Sequence, residues 1–277
     1  MRNLIELTDL TVNEVQRIFN IADKMNKGEY EKCFKGKTII LFFPSSSIRT
    51  RVTFEKGIFD LGGQSILFPS DALDKKEEIK DVVNYLHNWA DCIVVRHADI
   101  DLIARMAECN LLPIVNAMTG VNHPCEILSD LYSLSKIRKD YLDLNYLFVG
   151  APGNIGNAWA EAKKVLGINI KQCCPAGYEI SGLTAEHDIN KAIVNSDIIL
   201  TDSLPSKALS DFSSYQITNE LMQKANAGAV LNPCPPFFRG EEVSADVINS
   251  KYFAGYSFKK HLLIMHQAIM YFSMFND

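Results

Sequence analysis

Short apolar runs alternate with helix-periodic segments along most of the chain, and this alternation limits the fold more than any other feature of the sequence. TIILFF (38–43), QSILF (64–68), DCIVVR (91–96) and LPIVNA (112–117) have the length and β-branched content of buried strands. Between them, 48–61 shows helical spacing at Phe54, Ile58 and Leu61 and closes on Gly62-Gly63; 76–90 and 100–109 are also helix-like, and another helix is expected over 8–30. The pattern resumes after a longer helix at 124–139: NYLFVG (145–150), a helix over 154–166, INIKQCC (168–174), IVNSDIILTD (193–202), a helix over 217–226 and AVLNPC (229–234). A last helix is expected over 260–275. Such alternation predicts parallel, doubly wound sheets. The expected fold is therefore α/β, with two doubly wound parallel-sheet domains (1–132 and 133–257) joined by a linking helix. The C-terminal helix (258–277) should return to the first domain.

A chain of 277 residues, 47% hydrophobic, can bury the cores of two such domains. The net charge of -5 argues against a general nucleic-acid binder, and no apolar run approaches the ~18 residues of a membrane span. The N-terminus reads as an amphipathic helix after a short lead, without an apolar signal core. Seven cysteines, an odd number set mostly in apolar stretches, suggest reduced thiols and a cytoplasmic protein. Cys173 and Cys174 are adjacent, and His261 and His266 lie off a common helix face, so no metal site is expected.

Chemistry gathers at the ends of the strands. The first is followed by Pro44–Arg51, which places Ser47, Ile48, Arg49 and Thr50 where a helix should begin. A helix N-terminus offers unpaired N–H groups and partial positive charge, a guanidinium adds a bidentate fork, and a threonine adds a hydroxyl. The segment can thus hold a phosphate, although a serine-capped surface helix would look similar. The third strand delivers Arg96. The fourth runs to Asn122-His123-Pro124-Cys125-Glu126, where the proline suits a first helical turn and puts His123 at the helix N-terminus. There imidazolium is disfavoured, so His123 is expected as a neutral donor, or simply as a structural cap.

Taken together, S-x-R-T-R (47–51), V-R-H (95–97) and H-P-C-E (123–126), in this order, resemble the aspartate and ornithine carbamoyltransferase family. The resemblance continues through Lys75-Lys76-Glu77, Val149-Gly150, Thr201-Asp202 and Asn232-Pro233-Cys234-Pro235. It implies a carbamoyl-phosphate domain followed by an acceptor domain, with no metal or organic cofactor. Ser47, Ile48, Arg49 and Thr50 would grip the phosphate. Arg49, Thr50, Arg96, His123 and Glu126 would be the catalytic group, and Thr50, Arg96 and His123 would donate to the carbamoyl oxygen. An amine would attack the carbonyl carbon, with carbamoyl phosphate and a small amine or amino acid as the substrates.

Asn154, Asp202, Ser206, Cys234 and Pro235 resemble the acceptor side of the ornithine-type branch, so an ornithine-like amine is expected rather than aspartate. A cis bond is anticipated at Cys234-Pro235. Lys75 matches a lysine that the aspartate branch sends into a neighbouring subunit, which implies a homotrimer with shared sites; the plain alternative is a solvated charged loop. Several positions depart from the family pattern, among them Lys207 and Ala208 where methionine and glycine are usual after Ser206. Glu126 stands where glutamine is usual, Asn232 where the acceptor motif begins with histidine, and Lys259–Leu262 lack the asparagine–arginine pair. These departures keep open a catalytically altered, carbamoyl-phosphate-binding or regulatory relative. A dinucleotide-dependent oxidoreductase is disfavoured, because Gly150, Gly153 and Gly156 are spaced G-x-x-G-x-x-G and the next strand ends in Cys173-Cys174-Pro175 without an acidic residue.

Overall fold

The computed structural model describes residues 1–275, which form two compact units. One comprises Met1–Ser133 together with the described residues from Lys260; the other comprises Leu134–Lys259.

The first unit contains α1 (Val12–Asn26), β1 (Thr38–Phe42), α2 (Arg49–Asp60), β2 (Gln64–Phe68), α3 (Ile79–Leu86), β3 (Cys92–Arg96), α4 (Ile100–Glu108) and β4 (Ile114–Met118). All four strands are parallel, in the order β2-β1-β3-β4. Helix α5 (Pro124–Ile137) begins in this unit and carries the chain into the second. Helix α1 starts at a reciprocal cap, in which the Thr11 hydroxyl accepts from the Glu14 N–H and the Glu14 carboxylate accepts from the Thr11 N–H. It occupies only the middle of the expected 8–30 segment, and α3 is likewise shorter than 76–90. In both cases the polar residues flanking the helix lie in turns.

The second unit runs β5 (Asn145–Val149), α6 (Asn154–Leu166), β6 (Asn169–Cys173), β7 (Thr184–Glu186), α7 (Ile189–Ala192), β8 (Ile198–Thr201), α8 (Asn219–Met222), β9 (Val230–Pro233) and α9 (Ala245–Ile248). Its five parallel strands are ordered β7-β6-β5-β8-β9. The short β7 and α7 had no sequence expectation, since neither is long enough to show a period. Leu147, Ile199, Leu231, Val243 and Val247 are among the buried residues of its core.

Helix α10 (His261–Met274) lies in the first unit against α1 and α2. Ten of its residues are buried, so it is a core helix with no polar face. Gln267 Nε2 donates 2.9 Å to the Gly57 carbonyl, and a Cβ at Gly57 would stand 3.0 Å from Gln267 Cγ. This close crossing is why a glycine sits inside α2.

Candidate active site

In each sheet the chain first builds outward on one side of its starting strand and then crosses to the other. The reversal falls between β1 and β3 in the first unit and between β5 and β8 in the second. At such a switch point the loops after adjacent strands diverge, and a ligand can sit beyond the strand ends. Most of the residues singled out above follow strands that flank these two points.

In the first unit, β1 and β3 are direct neighbours, with Phe42 in register with Val95. Ser47 does not cap α2, so the alternative of a serine-capped helix is not what is observed. Ile48 occupies the cap position of α2, and no side chain caps that helix end. The Ser47 hydroxyl is buried and instead accepts a 3.1 Å hydrogen bond from Arg96 Nη1. The Pro44–Arg51 segment and the end of β3 are therefore tied together directly. The pairing of β3 with β4 shifts register between Val95 and Arg96, so a bulge aims the guanidinium. Arg49 is exposed in the first turn of α2, beside buried Thr50. Arg51 is turned aside into an ion pair with Glu55 at 2.7 Å.

Beyond β4, a compact hydrogen-bonded turn sets His123. The Thr119 hydroxyl accepts from the N–H groups of Val121 (3.0 Å) and Asn122 (2.9 Å). Asn116 Nδ2 donates 2.7 Å to both Asn122 Oδ1 and the Ile5 carbonyl. His123 thus enters α5 from a fixed direction, and Glu126 lies one turn on, its Oε2 4.0 Å from His123 Nε2. Both side chains are buried. Cys125 between them bonds the Asn116 carbonyl at 3.2 Å, and burial raises its thiol far above the ordinary range.

Lys75 and its neighbour Lys76 are exposed on the chain between Leu73 and α3. That segment is anchored by Asp74, whose Oδ1 lies 2.9 Å from His97 Nε2 at the end of β3.

In the second unit, Asn154 opens α6 behind Gly153, again with no side-chain cap. Asp202 follows β8, and its Oδ2 lies 3.7 Å from where a Cβ of Gly153 would be. The carboxylate therefore rests against the N-terminus of α6, close to Asn154. Ser206 is exposed in a short 3-10 turn (Ser206–Ala208). Cys234 is buried just after β9. The expected cis bond is displaced by one residue: Pro235-Pro236 is cis, and Cys234-Pro235 is not.

Two further buried groups had no signal in motif or spacing. Glu242 is 4% exposed; its Oε1 accepts a 2.6 Å bond from the Phe238 N–H, while Oε2 has no hydrogen-bond partner among the described residues. Burial pushes its carboxyl up to about 7; the Phe238 bond opposes this, and the charges of Glu241 and Asp202 add to it. His266 is wholly buried in α10, where desolvation pushes its imidazole down to about 3.

Comparison with known proteins agrees with this geometry. Residues 2–136 match the carbamoyl-phosphate-binding domain, and residues 142–273 the Asp/Orn-binding domain, of aspartate/ornithine carbamoyltransferases. The chain belongs to the aspartate/ornithine carbamoyltransferase family. It is therefore a transferase, and its relatives lie in the ornithine-type branch. It is 31% identical to the ornithine carbamoyltransferase of Methanosphaera stadtmanae over 98% of each chain. Identity to that of Desulfotalea psychrophila is 30%, over 97% of each. The crystal structure of ornithine carbamoyltransferase from Burkholderia thailandensis superposes with a TM-score of 0.91 at 26% identity, covering 99% of both chains. The Pyrococcus furiosus enzyme gives the same score and identity, over 99% of this chain and 97% of the other. No helix among the described residues is long and apolar enough to cross a membrane.

Proposed function

We propose that this member moves the carbamoyl group of carbamoyl phosphate to the amino group of an ornithine-like amine or amino acid and releases phosphate. The observation that carries the reading is the Arg96–Ser47 hydrogen bond at the β1/β3 switch point, which joins the anion-binding segment to a second guanidinium. Ser47, Ile48, Arg49 and Thr50 hold the phosphate with the open N-terminus of α2. Thr50, Arg96 and His123 donate to the carbamoyl oxygen, where negative charge grows as the amine attacks. Glu126 accepts from the carbamoyl NH2. The new C–N bond forms, the C–O bond to phosphate breaks, and the proton lost from the attacking nitrogen passes to the departing phosphate.

On the acceptor side, Asp202 supplies negative charge and Asn154 an amide, with Ser206, Cys234 and Pro235 completing the set. An acidic residue at the β5/β8 switch point favours a substrate carrying a second ammonium and disfavours aspartate. Ile48, Val52 and Phe59 line the outside of α2 with large exposed apolar side chains, and Ile66 and Phe68 are exposed on the edge strand β2. Such surface on a sheet edge supports burial against further copies in a cytoplasmic homotrimer, where Lys75 would reach a neighbouring site.

The test is phosphate release and ureido product formation with ornithine, other diamines and aspartate as acceptors. Product with ornithine or a related diamine sustains the proposal, and product with aspartate alone overturns the acceptor assignment. The buried Glu126 carboxylate favours one second reading, a protein that binds carbamoyl phosphate without turnover. Calorimetric binding with no product from any amine would establish it.

A further inference from the structure

Buried histidines in apolar helices usually satisfy both ring nitrogens, and His266 does not. Its ring is stacked on Phe54 of α2, with centroids 3.8 Å apart and planes 12° from parallel. Nδ1 lies 3.0 Å from the Thr53 hydroxyl, and Nε2 has no hydrogen-bond partner among the described residues. Leaving a buried nitrogen unpaired opposes folding, a cost that a phenylalanine of similar shape would avoid.

The contacts of Thr53 fix the tautomer. Its hydroxyl lies 3.0 Å from the Arg49 carbonyl and 2.9 Å from the Thr50 carbonyl. A hydroxyl has one proton to donate, and a helical threonine gives it to a carbonyl of the preceding turn. The third contact then requires His266 Nδ1–H to donate to the Thr53 oxygen. Desolvation keeps the ring neutral; the nearby Glu126 carboxylate opposes this and His123 reinforces it. A neutral Nδ1–H ring presents a bare Nε2 lone pair, which accounts for the unpaired nitrogen.

We propose that His266 is a positioning residue for phosphate binding: from α10 it donates to Thr53 and so fixes the first turn of α2, where Arg49 and Thr50 are carried. The next residue reinforces the hold, since Gln267 donates to the Gly57 carbonyl one turn further along α2. Two adjacent residues of α10 thereby fix both the rotation and the axial position of the helix whose N-terminus faces the anion. His266 touches neither phosphate nor carbamoyl group, and it acts through Thr53.

This rests on the phosphate role proposed for Arg49 and Thr50, and the experiment separates the two. Affinity for carbamoyl phosphate and for inorganic phosphate is measured by calorimetry, beside thermal midpoints, for the native protein and the variants H266F, H266N, T53V and R49A. H266F keeps the stacked ring and loses the donor. It should bind about five- to tenfold more weakly, as expected for one lost hydrogen bond, at a nearly native midpoint. H266N keeps a donor near the Nδ1 position and loses the ring, so its midpoint should fall while affinity is largely retained. T53V should weaken binding as H266F does, and the double variant should be no weaker than either. Native affinity in H266F and T53V, with R49A impaired, overturns the positioning role and leaves the phosphate site standing. Native affinity in R49A removes the phosphate site, and the inference falls with it. If H266F does not fold, T53V and H266N decide: weak binding by T53V with retained binding by H266N supports the proposal, and any other pattern overturns it.

Discussion

Replacing Glu242 by glutamine tests whether a buried carboxyl in the second unit makes stability depend on pH. Its folded pKa is raised from 4.5 to about 7. A raised folded value means that folding favours the protonated form. Below about pH 4.5 the group is protonated folded or unfolded and carries no penalty; as pH rises to about 7 the unfolded chain ionises first, and stability is lost. At 1.36 kcal/mol per pH unit the loss is about 3 kcal/mol, complete above pH 7. In E242Q the amide can still accept from the Phe238 N–H and never ionises. The two proteins should be similar at pH 5, whereas at pH 8 the variant should be more stable by up to about 3 kcal/mol. With a urea m-value of about 2 kcal/mol/M, that is a midpoint shift of about 1.5 M. Trp159 is 1% exposed in this unit, while Trp89 is 67% exposed, so fluorescence in a W89F background reports this unfolding. Other titrating groups cancel in the comparison. A stability difference between variant and parent that is equal at pH 5 and pH 8 would refute the reasoning.

Arg49→Ala should weaken carbamoyl phosphate binding by about 10- to 100-fold, the worth of one charge-assisted contact, with the thermal midpoint unchanged because Arg49 is exposed; calorimetry and melting curves check both halves. Asp202→Asn should raise the KM for a diamino acceptor about 10- to 100-fold while carbamoyl phosphate affinity stays native, a split that steady-state kinetics with each substrate varied will expose. Gly156→Ala should destabilise the second unit by about 1–3 kcal/mol in urea titrations, because a Cβ there would stand 2.5 Å from Ile180 Cδ1 and 2.8 Å from Phe148 Cε1.

Most strands and the longer helices were legible because their side-chain periods are strong. Helix 154–166 and strand 64–68 coincide with their expected bounds. β7 and α7 escaped because three or four residues hold no period. Among the candidate site residues, sequence order indicated which strand ends carry Arg49, Arg96, His123 and Asp202, since the chain visits the strands in turn. It did not indicate that Ser47 would accept from Arg96, because that contact depends on β1 and β3 being neighbours despite the intervening β2. Nor did it single out Glu242 or His266. An isolated glutamate in a charged loop and a histidine in an apolar helix look ordinary until burial and an unpaired atom are seen together.

The first unit is assembled from both ends of the chain, and the second is one uninterrupted stretch inserted into it. A ribosome therefore releases everything needed for the acceptor sheet before it releases α10. During synthesis the β1–α2 region must wait, with the face of α2 that Gln267 and His266 cover still wet, while the later-made unit can already close. The unit that carries Arg49 and Thr50 is completed only by α10, which the chain supplies after the whole of the second unit.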